Sequence, residues 1–311
     1  MRILFMGTPD IAASCLTALL DAGEEVVAVV TQADRPKGRG YVLTPPPVKV
    51  TALSRGIPVY QPSSLRDGSF DETLSALAPD LIAVVAYGKI LPPSVLALPR
   101  YGCINVHASL LPKYRGAAPI QRAIMDGERE TGVTTMYMAE GLDTGDMLLS
   151  EKIAITPDDN FETIHDRMAE VGGRLLLDTV RALREGRAVR IPQNEVEATY
   201  AHKIEKADCH LDLTRSAREL DPYIRGLSPI PLAFVRRADG KMLKILRAVP
   251  VEGKGVPGEV LRLDDRADGG ITVACGEGAL LLREILPEGK GRMSAADYVR
   301  GRQIQIGEVF S

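Results

Sequence analysis

Residues 2–31 read RILFMGTPDIAASCLTALLDAGEEVVAVVT, and this stretch decides the fold of the first half of the chain. Arg2–Met6 is a short apolar run that predicts a buried strand. Thr8–Asp10 then favours the start of a helix over Ile11–Asp21, and the glycine that follows soon after favours its end. Val26–Thr31 is a second apolar run that predicts a second strand. A strand, a helix and another strand predict a βαβ unit and therefore a parallel sheet.

The alternation of strand and helix patterns continues to residue 188. Because each helix carries the chain back over the sheet, we expect residues 1–188 to form an α/β domain whose strands are mostly parallel. The further predicted strands are Ile57–Tyr60, Leu81–Ala86, Cys103–Val106, Val133–Met138 and Met147–Ile155. The further predicted helices are Asp71–Ala78, Ile120–Asp126 and Phe161–Glu185.

The last third of the chain has a different pattern. Residues 189–205 are irregular and polar around Pro192, which predicts a linker. In residues 206–311 short apolar runs are separated by Gly and Pro, and Asp239-Gly240 is typical of a tight hairpin turn. This pattern predicts a small β-barrel. Its predicted strands are Leu232–Val235, Leu243–Val249, Gly258–Leu263, Ile271–Ala274 and Ala279–Leu286.

The composition excludes several classes of protein. The chain has 311 residues, 45% of them apolar and 25% charged, and its net charge of −3 argues against a globally basic nucleic-acid binder. No apolar run reaches the ~18 residues of a membrane span, and Met1–Gly7 is too short for a signal peptide, so we expect a cytoplasmic protein. Scattered cysteines predict reduced thiols, and Cys209-His210 lacks a second ligand pair, so no metal site is expected.

A nucleotide cofactor is not expected, although the βαβ pattern invites one. The turn after the first strand, Gly7–Asp10, lacks the second and third glycines that let a backbone approach a pyrophosphate. The sequence G-x-G-x-x-G does occur at Gly253–Gly258, but it contains a proline and precedes a strand rather than a helix. The missing glycines therefore argue against a nicotinamide-dependent dehydrogenase.

Asn105 and His107 alternate with apolar residues at the end of the predicted strand Cys103–Val106. Side chains two residues apart share one face of a strand, so an amide donor and a titratable imidazole are expected side by side. A turn-rich loop follows directly, as a ligand-binding strand end requires. For His107 taken alone, a structural histidine is an equally good interpretation.

A glycine-bracketed acidic turn, Gly141–Asp146, adds Asp143 to this pair. An ordinary turn aspartate is the alternative interpretation. A carboxylate near an imidazole holds the ring and favours the imidazolium, and an asparagine amide suits a developing oxyanion. Together the three groups predict acyl transfer to an amine that needs no serine or cysteine nucleophile.

Two groups of cations could meet a polyanion. The segment Asp34–Gly40 combines three cations with proline and glycine, which predicts a mobile surface loop at the carboxyl edge of the sheet. A second group of cations, around the predicted hairpin at Asp239-Gly240, could meet a phosphate backbone. A solvated loop and a solvated hairpin face are the alternative interpretations. The second group consists of Arg236, Arg237, Lys241, Lys244 and Arg247, opposed only by Asp239.

Three short motifs occur together, Asn-x-His at 105–107, Ser-Leu-Leu-Pro at 109–112 and Asp-Thr-Gly at 143–145. They mark folate-dependent formyltransferases in general, and the loop Asp-Arg-Pro-x-Gly-Arg-Gly at 34–40 points more narrowly to one branch. The chain resembles methionyl-tRNA formyltransferases from end to end, most densely over residues 1–150. The other matching stretches are Phe5–Asp10, Thr31–Ala33, Val84–Gly88, residues 102–120 and Thr131–Thr134.

The resemblance implies a Rossmann-like formyl-transfer domain at 1–188, a linker at 189–205 and an OB-like tRNA-binding barrel at 206–311. It implies 10-formyltetrahydrofolate as co-substrate and methionyl initiator tRNA as acceptor. No membrane and no obligate protein partner are expected. By position, the catalytic trio is Asn105, His107 and Asp143. The expected folate-binding residues are Ser109, Leu110, Leu111, Pro112, Val85, Tyr87 and Gly88. The expected tRNA-binding residues are Arg35, Lys37, Arg39, Arg236, Arg237, Lys241 and Lys244.

One departure from the family pattern lies at Ser228–Pro231, where Ile230 stands in place of a tryptophan and the chain has no tryptophan at all. Three other functions stay open. A sugar-nucleotide or glycinamide-ribotide formyltransferase would share the trio but gives no reason for the cations. A non-enzymatic tRNA-binding protein would explain the cations but not the trio. A dehydrogenase is disfavoured by the missing glycines.

Overall fold

The structure is a computed structural model that describes residues 1–37 and 40–311. Its strands are β1 (Ile3–Gly7), β2 (Val26–Val30), β3 (Arg35–Lys37), β4 (Val42–Thr44), β5 (Val59–Tyr60), β6 (Leu81–Val85), β7 (Cys103–His107), β8 (Arg115–Gly116), β9 (Glu130–Tyr137), β10 (Met147–Ala154), β11 (Tyr200–Ala201), β12 (Ala233–Arg236), β13 (Met242–Val251), β14 (Val260–Asp264), β15 (Gly270–Ala274), β16 (Ala279–Pro287) and β17 (Met293–Ser294). Its helices are α1 (Asp10–Asp21), α2 (Pro47–Ser54), α3 (Asp71–Leu77), α4 (Pro93–Leu96), α5 (Pro119–Met125), α6 (Phe161–Arg184), α7 (Ala217–Leu227) and α8 (Ala295–Arg300). Single 3-10 turns lie at Glu195–Glu197 and Ala207–Cys209.

The chain forms two compact units that are not contiguous in sequence. The first unit comprises Met1–Gly116, Glu130–Ala154 and His165–Ala201. The second unit comprises Ala117–Arg129, Ile155–Ile164 and His202–Ser311. The domain boundaries expected at 188/189 and 205/206 stay predictions.

The first unit contains a seven-stranded sheet in the order β10-β9-β7-β6-β1-β2-β5. In the series β5-β2-β1-β6-β7 each strand is parallel to the next. Strand β9 is antiparallel to both β7 and β10. The predicted mostly parallel sheet is therefore confirmed. The strand order reverses between β1 and β6, the kind of switch point at which doubly wound sheets bind ligands. All five residues of β1 are buried, which explains why its sequence is continuously apolar rather than alternating.

Helix α6 closes one face of this sheet near β7. A Cβ atom at Gly172 would lie 3.4 Å from Sγ of Cys15 and 3.4 Å from Cγ1 of Val106, so this part of α6 packs directly against α1 and β7. Because Val106 alternates with Asn105 and His107 along β7, the two polar side chains lie on the opposite face. Helix α6 thus covers the face of β7 opposite to the polar pair.

The second unit contains an antiparallel sheet in the order β12-β13-β16-β15-β14, with β17 paired to β16. The Asp239-Gly240 hairpin between β12 and β13 is confirmed. Residues 307–311 join the two edges of this sheet: N of Arg236 donates to O of Ser311 at 2.7 Å, and N of Val260 donates to O of Glu308 at 2.8 Å. The edge strands are thereby paired, as a barrel requires.

Two findings concern what the described ranges do not contain, and a third concerns the cysteines. No helix of residues 1–37 and 40–311 is both apolar and long enough to cross a membrane. Within the same ranges, no group of three or more His, Cys, Asp or Glu side chains could hold a metal ion. All four cysteines are buried and free.

Candidate active site

Strand β7 brings Asn105 and His107 to one face at its carboxyl end. Asn105 is half-buried and His107 is 6% exposed, and their partners on the antiparallel neighbour β9 are Met136 and Thr134. Within the described residues, the side-chain amide of Asn105 has no hydrogen-bond partner. The amide therefore remains available to a bound ligand.

The two ring nitrogens of His107 have different partners. Nε2 lies 2.9 Å from the carbonyl oxygen of Tyr114, and Nδ1 lies 3.7 Å from Oδ2 of Asp143. A carbonyl oxygen only accepts, so Nε2 carries a proton and donates it to Tyr114. Nδ1 is therefore the ring nitrogen that is left for another group, and it faces the carboxylate of Asp143.

Asp143 sits in a tight turn between β9 and β10. Its φ of 52° lies in the left-handed region, which is uncommon for an aspartate, and its Oδ2 accepts a hydrogen bond of 2.8 Å from N of Gly116. A Cβ atom at Gly145 would lie 1.8 Å from the carbonyl oxygen of Tyr137, so only glycine fits there. The glycines that bracket the motif thus permit the turn that brings the carboxylate to His107.

The loop after β7 is held by internal hydrogen bonds. Oγ of Ser109 donates to the carbonyl oxygen of Lys113 at 2.6 Å. Oγ1 of Thr134 donates to the carbonyl oxygen of Ser109 at 2.7 Å and accepts from N of Leu111 at 3.2 Å. Ser109 and Leu111 are buried. These residues therefore shape the turn that delivers the Tyr114 carbonyl to His107.

A cavity of about 610 Å³ adjoins Asp143. Its lining is mainly apolar, with the cations Arg66 and Lys89 also contributing. Met136 lines the cavity and is the cross-strand partner of Asn105, which brings the amide to the same region of the sheet. The volume is in the range of small-molecule sites. Other lining residues are Ile90, Leu91, Pro92, Pro93, Leu96, Met138, Ala139, Glu140, Gly141 and Leu142.

The seven residues expected to bind folate do not line this cavity. The ring of Tyr87 is 1% exposed and packs in an apolar cluster with Leu4, Ile82 and Leu91, and its hydroxyl has no partner within the described residues. Its carbonyl oxygen accepts from Oγ1 of Thr8 at 3.1 Å. The folate assignments of Val85, Tyr87, Gly88 and Ser109–Pro112 stay predictions.

Apart from Arg66, the lining residues that sequence reasoning missed lie in two runs, Lys89–Leu96 and Met136–Leu142. The first run begins in the loop that leaves the carboxyl end of β6, and that position could have indicated a ligand site. The second run ends β9 beside the acidic turn. Its pairing with β7 is a long-range property that local pattern does not carry.

A second cavity, of about 410 Å³, lies at the switch point between β1 and β6. It is lined by Thr8 and Ala86, which follow those strands, and by Arg35. The segment predicted to be an irregular loop is partly regular, because Arg35–Lys37 (β3) pairs with Val42–Thr44 (β4) as a short antiparallel hairpin. Arg39 lies outside the described residues.

The cations of the second unit have unequal surroundings. Arg237 is largely buried and donates to both carboxylate oxygens of Glu308, at 2.8 and 3.0 Å. Lys241 is exposed and pairs with Asp239 at 3.0 Å. Arg236 is exposed and Lys244 is half-buried. The guanidinium of Arg237 is thus engaged within its own unit, whereas Arg236 and Lys241 face solvent.

The arrangement can stabilise negative charge and move a proton at one place. Asn105 offers an amide donor, His107 an imidazole whose Nδ1 is left open by the contact at Nε2, and Asp143 a carboxylate beside that nitrogen. The adjoining cavity can hold a small molecule that carries an acyl group. This is the chemistry of acyl transfer to an amine.

Comparisons with known proteins agree with this chemistry. The Formyl transferase model matches residues 1–180, and the model named Formyl transferase, C-terminal domain, matches residues 203–303. The methionyl-tRNA formyltransferase of Pelotomaculum thermopropionicum is 49% identical over 313 residues, which cover 100% of this chain and 98% of the relative. This chain belongs to the methionyl-tRNA formyltransferase family. The enzyme of the same name from Symbiobacterium thermophilum is 52% identical over 100% of this chain and 95% of its own length.

Solved structures with the same fold are more distant in sequence. An N-formyltransferase from Helicobacter canadensis, in complex with folinic acid and dTDP-3-aminofucose, superposes with a TM-score of 0.68 at 16% identity, over 92% of this chain and 100% of its own. HypX from Aquifex aeolicus in complex with tetrahydrofolic acid gives 0.65 at 20% identity, over 96% of this chain and 47% of its own. At these identities the likeness establishes the fold alone.

Proposed function

We propose that this protein transfers the formyl group of 10-formyltetrahydrofolate to the α-amino group of methionine esterified to initiator tRNA, for translation initiation. The cluster of Asn105, His107 and Asp143 beside the 610 Å³ cavity carries the proposal. The full-length identity of 49% to a curated methionyl-tRNA formyltransferase supports the choice of acceptor.

Each member of the trio has a distinct task. The Asn105 amide donates to the formyl oxygen as negative charge develops on it during attack by the amine. Protonated His107 adds positive charge on the same side, and Asp143 orients its ring through Nδ1. A new bond forms between the amine nitrogen and the formyl carbon while the bond to folate N10 breaks. The proton released by the amine passes to the departing nitrogen, N10 of the folate, beside the trio.

The cavity beside Asp143 is the proposed folate site. Its apolar lining suits an aromatic ring system, and its two cations suit the carboxylates of a glutamate tail. Nζ of Lys89 already donates to the carbonyl oxygens of Pro62 and Ser63, at 2.8 and 2.9 Å. Within the described residues, the Arg66 guanidinium has no partner and is the better candidate for a carboxylate.

The acceptor end of the tRNA is expected at the carboxyl edge of the sheet. The switch-point cavity opens there, and Arg35 of the β3–β4 hairpin lines it. Arg236 and Lys241, both exposed, are candidate phosphate contacts of the second unit. The roles of Arg35, Lys37, Arg39, Arg236, Lys241 and Lys244 belong to this proposal.

The test combines the purified protein with 10-formyltetrahydrofolate and methionyl initiator tRNA. Mass spectrometry of the amino acid released from the RNA should detect formylmethionine. His107→Ala should abolish the product, whereas His165→Ala, at a histidine on α6, should retain it. Absence of formylmethionine from the wild-type reaction, while a known formyltransferase succeeds under the same conditions, would refute the proposal.

Parallel reactions separate the other functions. In these reactions a nucleotide-linked amino sugar or glycinamide ribotide replaces the tRNA as the amine that accepts the formyl group. Faster formylation of either would favour a small-molecule enzyme. Calorimetric titration with folate addresses the non-enzymatic alternative. Binding of tRNA without any binding of folate would favour that alternative.

A further inference from the structure

Arg115 is a fully buried cation that belongs to neither the trio nor the cavity. It lies in β8, directly before Gly116, and its exposure is 0%. Its guanidinium donates to both carboxylate oxygens of Glu195, at 2.7 and 2.9 Å. It also donates twice to Oε1 of Gln193, at 2.8 and 3.0 Å. Such a cation persists in an interior only where its donors are satisfied, so this geometry is strongly determined.

Gln193 connects Arg115 to the turn that carries Asp143. Its Nε2 donates to the carbonyl oxygen of Asp143 at 2.8 Å and to that of Gly145 at 2.8 Å. With Oε1 engaged by Arg115, both polar atoms of the side chain are hydrogen-bonded in this orientation. Both ends of the left-handed Asp143 turn are therefore held by one amide, which is itself held by a buried guanidinium. We name Arg115, Gln193 and Glu195 the turn clamp.

Thr199, six residues after Gln193, also holds the chain near the two backbone groups that contact His107 and Asp143. Oγ1 of Thr199 accepts from N of Tyr114 at 2.8 Å, and the carbonyl oxygen of Thr199 accepts from N of Arg115 at 2.8 Å. β11 then pairs in parallel with β8. These bonds hold the Tyr114 carbonyl that faces His107 and the Gly116 amide that faces Asp143. Gln193 and Thr199 thus support the two sides of the His107–Asp143 contact.

The left-handed conformation of Asp143 explains why such support matters. A non-glycine residue at a φ of 52° is disfavoured and persists only when its surroundings enforce it. Release of the turn would let the carboxylate move relative to Nδ1 of His107. Displacements near 1 Å at a reacting centre cost about 100-fold in rate.

We propose that Gln193 is a positioning residue for formyl transfer, which holds the Asp143 carboxylate against His107 through the two carbonyl oxygens of the turn. Arg115 and Glu195 act through Gln193. This inference rests on the proposed formyl transfer, and it assigns a role in the active site to the segment that was expected to be a linker.

The decisive variant is Gln193→Glu, which has the same shape. A glutamate retains an acceptor for Arg115 but loses both donations to the turn. We expect kcat to fall about 10- to 100-fold while KM for folate and for tRNA stays within about twofold. The matched control is Asn194→Asp, which introduces the same charge one residue away and keeps the oxygen that accepts from N of Val196. This control should retain wild-type kcat.

Gln193→Met, which is neutral and similar in length, provides a second variant if the charged one does not fold. A kcat within threefold of the control in whichever variant folds would overturn the proposal, as would a change confined to KM or to the melting temperature. Hydrogen exchange at the Gly116 amide provides a readout that needs no activity. Exchange should accelerate in the Gln193 variants and not in Asn194→Asp, and unchanged exchange would also overturn the proposal. If the wild type forms no formylmethionine, the proposed function fails separately from this result.

Discussion

Nδ1 of His107 and Oδ2 of Asp143 lie 3.7 Å apart, and Nε2 of the same ring is engaged by the carbonyl oxygen of Tyr114. The ring therefore faces the carboxylate with Nδ1, while Nε2 is fixed as a donor. The separation is longer than a hydrogen bond, so the carboxylate acts on the ring mainly through its charge.

The charge of Asp143 can be removed without changing its shape. Asp143→Asn keeps an oxygen that can accept from Gly116 but leaves the imidazolium without its counter-charge. We expect kcat to fall about 100-fold or more. Asp146→Asn is the control, because it removes an equal charge from the same turn, where Asp146 pairs with Arg190 at 2.8 Å on the surface. Equal activities of the two variants in a formylation assay would contradict the role of Asp143.

The donor function of Asn105 is tested by Asn105→Asp. The exchange replaces the amide donor by a carboxylate oxygen, which repels a developing oxyanion. We expect kcat to fall about 100- to 1,000-fold, as for loss of one oxyanion donor. The same exchange at Asn194 should have little effect, because its oxygen only accepts from N of Val196. Single-turnover rates with saturating folate would measure the effects of the two exchanges. A normal rate for Asn105→Asp would show that Asn105 takes no part in the mechanism.

Arg66 should contribute to folate affinity rather than to catalysis. It lines the large cavity, and its exposed guanidinium can pair with a carboxylate of the glutamate tail. Because the pair would be partly screened by water, Arg66→Ala should raise KM for folate by only about 3- to 10-fold at constant kcat. Arg100→Ala, at an exposed arginine outside the cavity lining, is the control. A KM unchanged by Arg66→Ala would place the tail elsewhere.

Arg237 should matter for stability more than for RNA binding. Arg237→Met would leave Glu308 buried without its partner, and we expect the second unit to lose about 3 kcal/mol of unfolding free energy. Lys241→Met, on the exposed hairpin, should change the unfolding free energy by less than about 0.5 kcal/mol. Urea unfolding of both variants would measure the difference. Comparable losses would contradict the distinction between a structural and an exposed cation.

The buried thiols should resist alkylation in the native protein. Burial raises the pKa of Cys15 and of Cys103 to about 12, and that of Cys275 to about 11. The thiolate fraction is therefore very small at pH 8 and grows only as the pH approaches those values. Titration with a chromogenic disulfide should be slow in buffer and should reach four thiols per chain in denaturant. Rapid reaction of a thiol in the native state would contradict this expectation.

Much of the first unit could be predicted from local sequence. The apolar run that became β1 and the helix start at Asp10 are local signals, and both elements were located within a residue of their observed ends. The shared face of Asn105 and His107 follows from strand geometry alone. These features need no knowledge of distant parts of the chain.

The partners of two arginines could not be predicted in this way. Arg115 lies in the turn-rich loop after β7, yet it is fully buried against Gln193, 78 residues later. Arg237 reads as part of a basic hairpin, yet it pairs with Glu308, 71 residues later. Local sequence contains the charge of a side chain but not the counter-charge that the fold brings to it.

The turn clamp has a consequence for protein engineering. A chimera that exchanges the carboxy-terminal part at position 188/189 would supply Gln193 and Thr199 from the donor protein, although both contact the recipient's Asp143 turn and Tyr114. A crossover after Ala201 keeps these contacts within one parent. Hybrids joined at the later position should retain turnover, and a library of crossovers between the two positions would map where compatibility is lost.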